Sequence, residues 1–207
     1  GIGFKSKKNI FNLEIYNKKN MRYLILLLIS LFQLSFAQNS LERLETSPRH
    51  HEWVKINSNS NEINSFLVYP EVSEKGPVVV LIHENRGLND WARSMTDQIA
   101  EMGYIAIAPD FLSGTAPNGG GTNDYQNSDD ARTGIYNLDP GVINDILNKT
   151  VDYSKKIPSG NGKVVVIGFC WGGSQSFQFA TESSEIEAAI VCYGTGPTDM
   201  TSYSNIT

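Results

Sequence analysis

The chain has 207 residues, a formal net charge of −5 and two cysteines. This length suits one sizeable domain, and the acidic balance argues against nucleic acid as a partner. Two cysteines are too few for a disulfide framework.

Residues 1–20 are rich in Lys and Asn and do not begin with Met. We interpret them as an upstream segment that precedes the natural start at Met21. The alternative is that they form a long, positively charged N-terminal region of the segment 21–37. In either case they are not expected to belong to the fold.

Residues 21–37 have the pattern of a secretory signal peptide. A charged start is followed by the apolar run Tyr23–Phe32, and the small residues Ser35 and Ala37 stand at the −3 and −1 positions of a cleavage site before Gln38. The run is shorter than the roughly 20 apolar residues that span a bilayer, and no Cys follows for a lipid anchor. We therefore predict a secreted or periplasmic protein with no stable membrane anchor after cleavage. A buried helix is the alternative reading of the run.

Residues 38–49 are polar and are predicted to be a linker to a domain over 50–207. The domain is expected to open with an edge strand, Glu52–Ile56, and its hairpin partner Glu62–Tyr69, joined by the turn Asn57–Asn61. Pro70 ends the second strand.

From Val78 onward, apolar runs and helical spacing alternate, which predicts an α/β fold with a mostly parallel sheet and helices on both faces. Residues 112–132 form a long Gly/Asn/Asp-rich loop without apolar periodicity, either a lid or a disordered excursion. The predicted buried strands are 76–82, 104–108, 163–167 and 188–193, and the predicted helices are 88–102, 139–156 and 174–181.

The stretch Val164–Gly173 carries the strongest functional signal. It is an apolar strand, a turn with Cys170 between Gly168 and Gly172, and a helix, which is the Gly-x-nucleophile-x-Gly elbow with Cys as the nucleophile. Bulk at either glycine would collide with neighbouring chain. The helix N-terminus favours the thiolate. The alternative is a small buried Cys at a strand end.

Together with the elbow block 168–173, residues 80–88 and 106–112 resemble the dienelactone hydrolase family of α/β-hydrolases in order and spacing. Tyr193–Gly194 adds a further match, and the resemblance covers roughly residues 61–197. It implies an α/β-hydrolase fold whose last strands and helices are missing from this chain. It also implies hydrolysis of esters or lactones through a Cys–His–Asp triad, with a Glu near the thiol.

The resemblance assigns the site residue by residue. Cys170 matches the nucleophile, which would form a thioester acyl-enzyme, and Glu84 matches the carboxylate that contacts the resting thiol. The backbone N–H groups of Asn85 and Trp171 match the oxyanion hole. A helix-entry carboxylate is the alternative role for Glu84. Arg86 is a weak candidate for binding a substrate carboxylate, with loop–helix support as its alternative.

The three histidines, His50, His51 and His83, all precede Cys170. The family's base follows the nucleophile, so we expect the triad Asp and His beyond Thr207, and we expect the chain as given to be inactive or nearly so. His83 is predicted to be structural, and Asp110 to be a turn residue. His50 and His51 are predicted to lie on the surface and to be too few for a metal site.

Family members that take dienelactone carry an arginine shortly after the Pro-Asp block, and residues 111–114 contain none. This absence disfavours dienelactone itself. The expected partner is a small-molecule ester or lactone, with no cofactor and no metal. The oligomeric state is not indicated. Two alternatives remain, a non-catalytic α/β-hydrolase-like binding protein and a redox protein in which Cys170 bonds Cys192, although the latter geometry is demanding.

Overall fold

The computed structural model describes residues 39–59 and 61–206. The predicted upstream segment (1–20) and signal peptide (21–37) lie outside these residues. The strands are β1 (His50–Asn57), β2 (Glu62–Tyr69), β3 (Gly76–Ile82), β4 (Ile105–Pro109), β5 (Gly160–Phe169) and β6 (Ala188–Cys192). The helices are α1 (residues 39–46), α2 (Asp90–Glu101), α3 (Ser128–Tyr136), α4 (Pro140–Ser154) and α5 (Trp171–Glu182).

The six strands form one mixed sheet in the order β1-β2-β4-β3-β5-β6. The β1–β2 hairpin is antiparallel, and β2 also pairs antiparallel with β4. The pairs β3–β4, β3–β5 and β5–β6 are parallel. The sheet is therefore parallel over the region that carries the elbow, as predicted.

Alternate side chains of the central strands enter two separate cores. Val78, Val80 and Ile82 of β3 pack on one face with residues from α3, α4 and α5. Val79 and Leu81 pack on the other face, mainly with α2. This two-sided burial explains why β3 is a continuous apolar run, and it confirms helices on both faces of the sheet.

The helix boundaries follow capping residues that are visible in the sequence. The Asn89 side chain accepts from the Ala92 N–H at 3.0 Å, and α2 begins at Asp90. The Asp139 side chain caps α4, whose first residue is Pro140. Met102, the last residue of the predicted helix 88–102, follows the last residue of α2 and is 68% exposed.

Two segments that were predicted to be irregular contain helices. Residues 39–46 of the expected linker are helical. In the expected 112–132 loop, α3 begins at Ser128, where the Asn127 side chain accepts from the N–H groups of Asp129 and Asp130 at 2.9 Å. Asn followed by acidic residues is an N-cap pattern. Lack of apolar periodicity hid this helix, because it buries only Ala131 and Ile135.

The predicted strand over residues 188–193 is present as β6, but the prediction that it is buried is wrong. β6 pairs with β5 on one side, and Ile190 and Val191 are 47% and 38% exposed. Among the described residues no strand pairs with its other edge. Composition alone could not show this, because Ala188–Cys192 is as apolar as a central strand.

Candidate active site

The elbow begins where β5 ends. Cys170 is the N-cap of α5 and has φ 55° and ψ −115°, a conformation that is strained for a residue with a side chain. Its N–H donates to the Cys192 carbonyl at 3.0 Å, so the turn is tied to the end of β6. A nucleophile elbow holds its side chain on such a strained turn above the sheet.

The two elbow glycines are required by close backbone approach. A Cβ at Gly168 would stand 1.9 Å from the Gly172 carbonyl oxygen. A Cβ at Gly172 would stand 2.3 Å and 2.4 Å from the carbonyl oxygens of Ile82 and His83. The first turn of α5 therefore presses directly on the end of β3, which brings the elbow against the loop that contains Glu84.

The strand registers place three site residues at one level. Ile82 pairs with Gly168, and Phe169 pairs with Cys192. Counted on from these registers, Glu84, Cys170 and Tyr193 occupy corresponding positions just past the ends of β3, β5 and β6. The Tyr193 hydroxyl donates to Oε1 of Glu84 at 2.7 Å. Glu84 thus lies at the carboxyl edge of the parallel strands, where α/β folds bind ligands.

Tyr193 is the residue of this group for which we had predicted no role. Partial burial raises the pKa of its phenol, and the hydrogen bond to Glu84 raises it further, as do the charges of Glu84, Cys170 and Cys192. A signal was present, because a tyrosine directly after a parallel strand lies at the ligand-binding edge. Strand order along the sheet was needed to see that it would meet Glu84.

The ring of His83 is fully buried, with both nitrogens engaged by the backbone. Nδ1 lies 2.8 Å from the Glu84 carbonyl oxygen, and Nε2 accepts from the Phe111 N–H at 3.3 Å. This network assigns the proton to Nδ1 of a neutral ring. Burial lowers the pKa of His83, and the ring lies against Trp171 at 5.8 Å. The geometry agrees with the predicted structural role.

Two backbone N–H groups are available beside the elbow. In the turn Glu84–Gly87, the Gly87 N–H donates to the Glu84 carbonyl at 3.3 Å, and the Asn85 N–H has no acceptor among the described residues. Trp171 is the first residue of α5, where a helix N–H has no intrahelical partner. Their use as oxyanion donors stays a prediction. The Asn85 side chain donates to the Tyr136 hydroxyl at 3.1 Å.

The Arg86 guanidinium is engaged at the N-terminus of α3. It donates to the Ser128 hydroxyl and lies 3.8 Å from an Asp129 carboxylate oxygen. These contacts favour the supporting role over the binding of a substrate carboxylate. Arg132, one turn further along α3, lies 5.9 Å from the Tyr136 ring centroid.

Asp110 organises the loop that follows β4. Its carboxylate accepts from the Leu112 N–H at 3.0 Å, the Thr122 N–H at 2.8 Å and the Thr122 hydroxyl at 2.7 Å. The same Thr122 oxygen accepts from the Leu88 N–H at 2.9 Å. Asp110 is thus a hydrogen-bonding turn residue, as predicted, and the segment after it is anchored to the domain.

The other two histidines lie on β1, at the far edge of the sheet. His50 is exposed, but His51 is only partly exposed, because its Nε2 lies 3.0 Å from the buried Asp97 carboxylate. The surface prediction therefore needs correction for His51. Over residues 39–59 and 61–206 no cluster of His, Cys, Asp and Glu could hold a metal ion, and no helix is long and apolar enough to cross a bilayer.

Asp97 is the centre of a charged cluster that the sequence did not reveal. Arg49 donates two hydrogen bonds to it, at 2.8 Å and 2.7 Å, and Ser47 and His51 also contact it. Burial opposes the charge, but these hydrogen bonds outweigh burial and lower the pKa of Asp97 to about 2. The cluster joins the segment before β1 to α2.

Cys170 and Cys192 are both free thiols and both partly buried. They are adjacent through the backbone hydrogen bond between their strands. The redox alternative stays a prediction.

Comparison with known proteins finds similarity to dienelactone hydrolases in both sequence and structure. The carboxymethylenebutenolidase of Pseudomonas putida is 28% identical over 151 residues, which are 70% of this chain and 61% of that protein. A dienelactone hydrolase-like promiscuous phosphotriesterase from metagenomic libraries superposes with a TM-score of 0.62 at 22% identity, over 77% of this chain and 65% of that one. The chain therefore spans about three fifths of the length of such relatives.

The fold extends to more distant enzymes. The acylaminoacyl peptidase of Pyrococcus horikoshii superposes with a TM-score of 0.53 at 19% identity, over 74% of this chain and 24% of that one. These likenesses confirm the predicted α/β-hydrolase fold. The model of the dienelactone hydrolase family matches residues 63–207, which include the elbow, Glu84 and Tyr193. The chain belongs to the dienelactone hydrolase family.

Proposed function

We propose that this chain carries the nucleophile of an exported hydrolase of carboxylic esters or lactones. Cys170 attacks the ester carbonyl, its sulfur forms a thioester with the acyl group, and the alcohol leaves. The observation that carries the proposal is the elbow itself, with its strained Cys170 at the N-terminus of α5 and the two glycines that admit no side chain.

The neighbouring groups support this chemistry. Glu84 follows the end of β3, which is the strand next to β5. In this proposal the N–H groups of Asn85 and Trp171 donate to the oxyanion. One such donor contributes about 3–4 kcal/mol at a transition state. The curated relative from Pseudomonas putida is named as a carboxymethylenebutenolidase, an activity of the same class.

The base for the second step is not one of this chain's histidines. His83 has both nitrogens bound to the backbone, and His50 and His51 lie on β1, across the sheet from the elbow. We therefore propose that the triad Asp and His expected from the family resemblance are not supplied by residues 39–59 and 61–206. Without them the chain is expected to form the acyl-enzyme and to hydrolyse it slowly.

The test is single-turnover acylation by p-nitrophenyl acetate. We expect one equivalent of p-nitrophenolate or less, no sustained turnover, and an acetyl group on the Cys170 peptide by mass spectrometry. Cys170→Ala should abolish the labelling, and Cys192→Ser should retain it. Acetylation that is no faster at Cys170 than at Cys192 would overturn the assignment and favour a non-catalytic binding protein.

Export is a separate part of the proposal, supported by the pattern of residues 21–37. Expression from Met21 in a bacterial host should give a mature protein that begins at Gln38. The mass of the intact exported protein measures this directly, and a protein that retains residues 21–37 in the cytoplasm would contradict it.

A further inference from the structure

The side chain of Tyr193 crosses the end of β5, the strand that Cys170 directly follows. In the sheet order, β5 lies between β3 and β6. Neighbouring strands are about 4.8 Å apart, so the Tyr193 side chain must cross the end of β5 to reach Glu84, and Cys170 occupies that end. The hydrogen bond of 2.7 Å therefore spans the site.

The backbone at Tyr193 is held in an unfavourable conformation. Its φ of 41° is in the left-handed region, which Tyr rarely adopts. Close packing fixes it there, because a Cβ at Gly194 would stand 2.3 Å from the Gly173 carbonyl carbon and the Thr195 N–H donates to the Ser174 hydroxyl at 2.9 Å. Strain that the surroundings hold in place is typical of functional positions.

The ring of Tyr193 contributes little to the core. The residue is 68% exposed, and its ring centroid lies 6.1 Å from that of Phe169. The precisely placed part of the side chain is the hydroxyl, which contacts Oε1 of Glu84. Oε2 of Glu84 has no hydrogen-bond partner among the described residues, so Tyr193 is the one side chain there that fixes this carboxylate.

We propose that Tyr193 is a positioning residue that holds the Glu84 carboxylate beside Cys170, so that the thiol reacts with uncharged rather than anionic electrophiles. This inference rests on the proposed nucleophilic role of Cys170 and narrows the substrate class to uncharged esters or lactones. Arg86, two residues after Glu84, directs its guanidinium to Ser128 and Asp129 instead of forming an ion pair with Glu84.

Alkylation of Cys170 by two reagents of equal shape tests the role of Tyr193. Iodoacetamide is neutral and iodoacetate is anionic. In both reactions the thiolate sulfur forms a bond to carbon and iodide leaves with the bonding electron pair. The measured quantity is the ratio of the two rate constants at Cys170, iodoacetamide over iodoacetate, followed by peptide mass spectrometry so that Cys192 is counted separately.

Tyr193→Phe should lower this ratio about threefold to tenfold, because the released carboxylate moves toward solvent and repels iodoacetate less. Glu84→Gln should lower it at least as far, and adding Tyr193→Phe to Glu84→Gln should cause no further change. Tyr203→Phe is the matched control, since that hydroxyl donates to the Pro197 carbonyl at 2.9 Å, away from Cys170, and the ratio should stay at the wild-type value.

Three results would overturn the proposal. The first is an unchanged iodoacetamide-to-iodoacetate ratio in folded Tyr193→Phe. The second is that Tyr193→Phe lowers both rate constants equally, so that their ratio stays constant. The third is that Tyr193→Phe lowers the ratio as much in the Glu84→Gln background as in the wild type. Thermal unfolding shows whether each variant is folded. Glu84→Gln tests the hydrogen bond between Tyr193 and Glu84 by changing its acceptor. Alkylation needs no hydrolysis, so equal labelling of Cys170 and Cys192 would instead refute the proposed nucleophile.

Discussion

At the scale of single residues, the elbow depends on the absence of atoms as much as on the thiol. Gly168 and Gly172 are the points where β5, α5 and the end of β3 come closest, and each lies against backbone that cannot move aside without shifting an element. The motif in the sequence indicated these positions correctly. The distances show that the requirement is steric, because in each case the obstructing atom belongs to the main chain.

Gly168→Ala should therefore destabilise the domain by about 3 kcal/mol, the range of overpacking a rigid site. Its new Cβ would stand 1.9 Å from the Gly172 oxygen. Urea unfolding measures the change. Gly76→Ala is the matched control, because its Cβ would meet nothing closer than 3.8 Å, and we expect a change below about 1 kcal/mol. Equal effects of the two substitutions would refute the steric explanation.

At the scale of elements, the Thr122 side chain links the loop after β4 both to Asp110 at the end of β4 and to the segment before α2. The Thr122 hydroxyl donates to Asp110 and accepts from the Leu88 N–H, which precedes α2. Leu88 is 1% exposed, so its N–H cannot turn to water if this partner is lost. The length of the loop predicted a lid or a disordered excursion, whereas the contacts show a connection anchored close to the site.

Thr122→Val keeps the shape of the side chain and removes both hydrogen bonds. We expect a loss of about 2 kcal/mol in the free energy of unfolding, because a buried donor is left unpaired, and faster proteolytic cleavage within residues 112–127. Thr133→Val removes an exposed bond to the Asp129 carbonyl and should leave both measurements nearly unchanged. Unaltered cleavage in Thr122→Val would show that other contacts hold the loop.

At the scale of the whole molecule, the Asp97 cluster fastens the segment before β1 to the rest of the domain. The side chains of Asp97 and Arg49 are 0% and 7% exposed and lie 2.7 Å apart, so their opposite charges stabilise each other. Asp97→Asn should lower the free energy of unfolding at pH 7 by about 3 kcal/mol. It removes the carboxylate that lies 2.7 Å from the nearly buried Arg49 guanidinium, whereas the Glu101 carboxylate lies 3.9 Å away. Glu187→Gln, which breaks an exposed pair with Lys163, should cost less than about 1 kcal/mol.

The same cluster predicts the acid limb of stability. The pKa of Asp97 is lowered from 3.8 in the unfolded chain to about 2 in the fold. A lowered carboxyl pKa stabilises the fold above pH 3.8, and this contribution disappears as pH falls to 2 and below. Between pH 5 and pH 2 the wild type should lose about 2 kcal/mol more than Asp97→Asn. Parallel pH profiles would exclude Asp97 as the group responsible.

Much of this molecule could be predicted from sequence because the signals are local. Apolar runs and caps located β2, β3, α2 and α4 to within a residue or two, and the glycine spacing around Cys170 identified the elbow. Helix α3 was not predicted, because an N-cap at Asn127 without apolar periodicity is a weak signal. Burial of residues 188–193 was misjudged, because burial depends on what neighbours a strand and not on its composition.

The sequence by itself determined the α/β alternation, the elbow and the family resemblance. Each of them depends on the spacing of residues along the chain, which can be read without the fold. Only the tertiary structure decided which groups share the site. Glu84 and Tyr193 are 109 residues apart, and the strand order brings them together over Cys170. The same holds for Arg49 and Asp97, because contacts between distant residues depend on strand order and register, which no local pattern encodes.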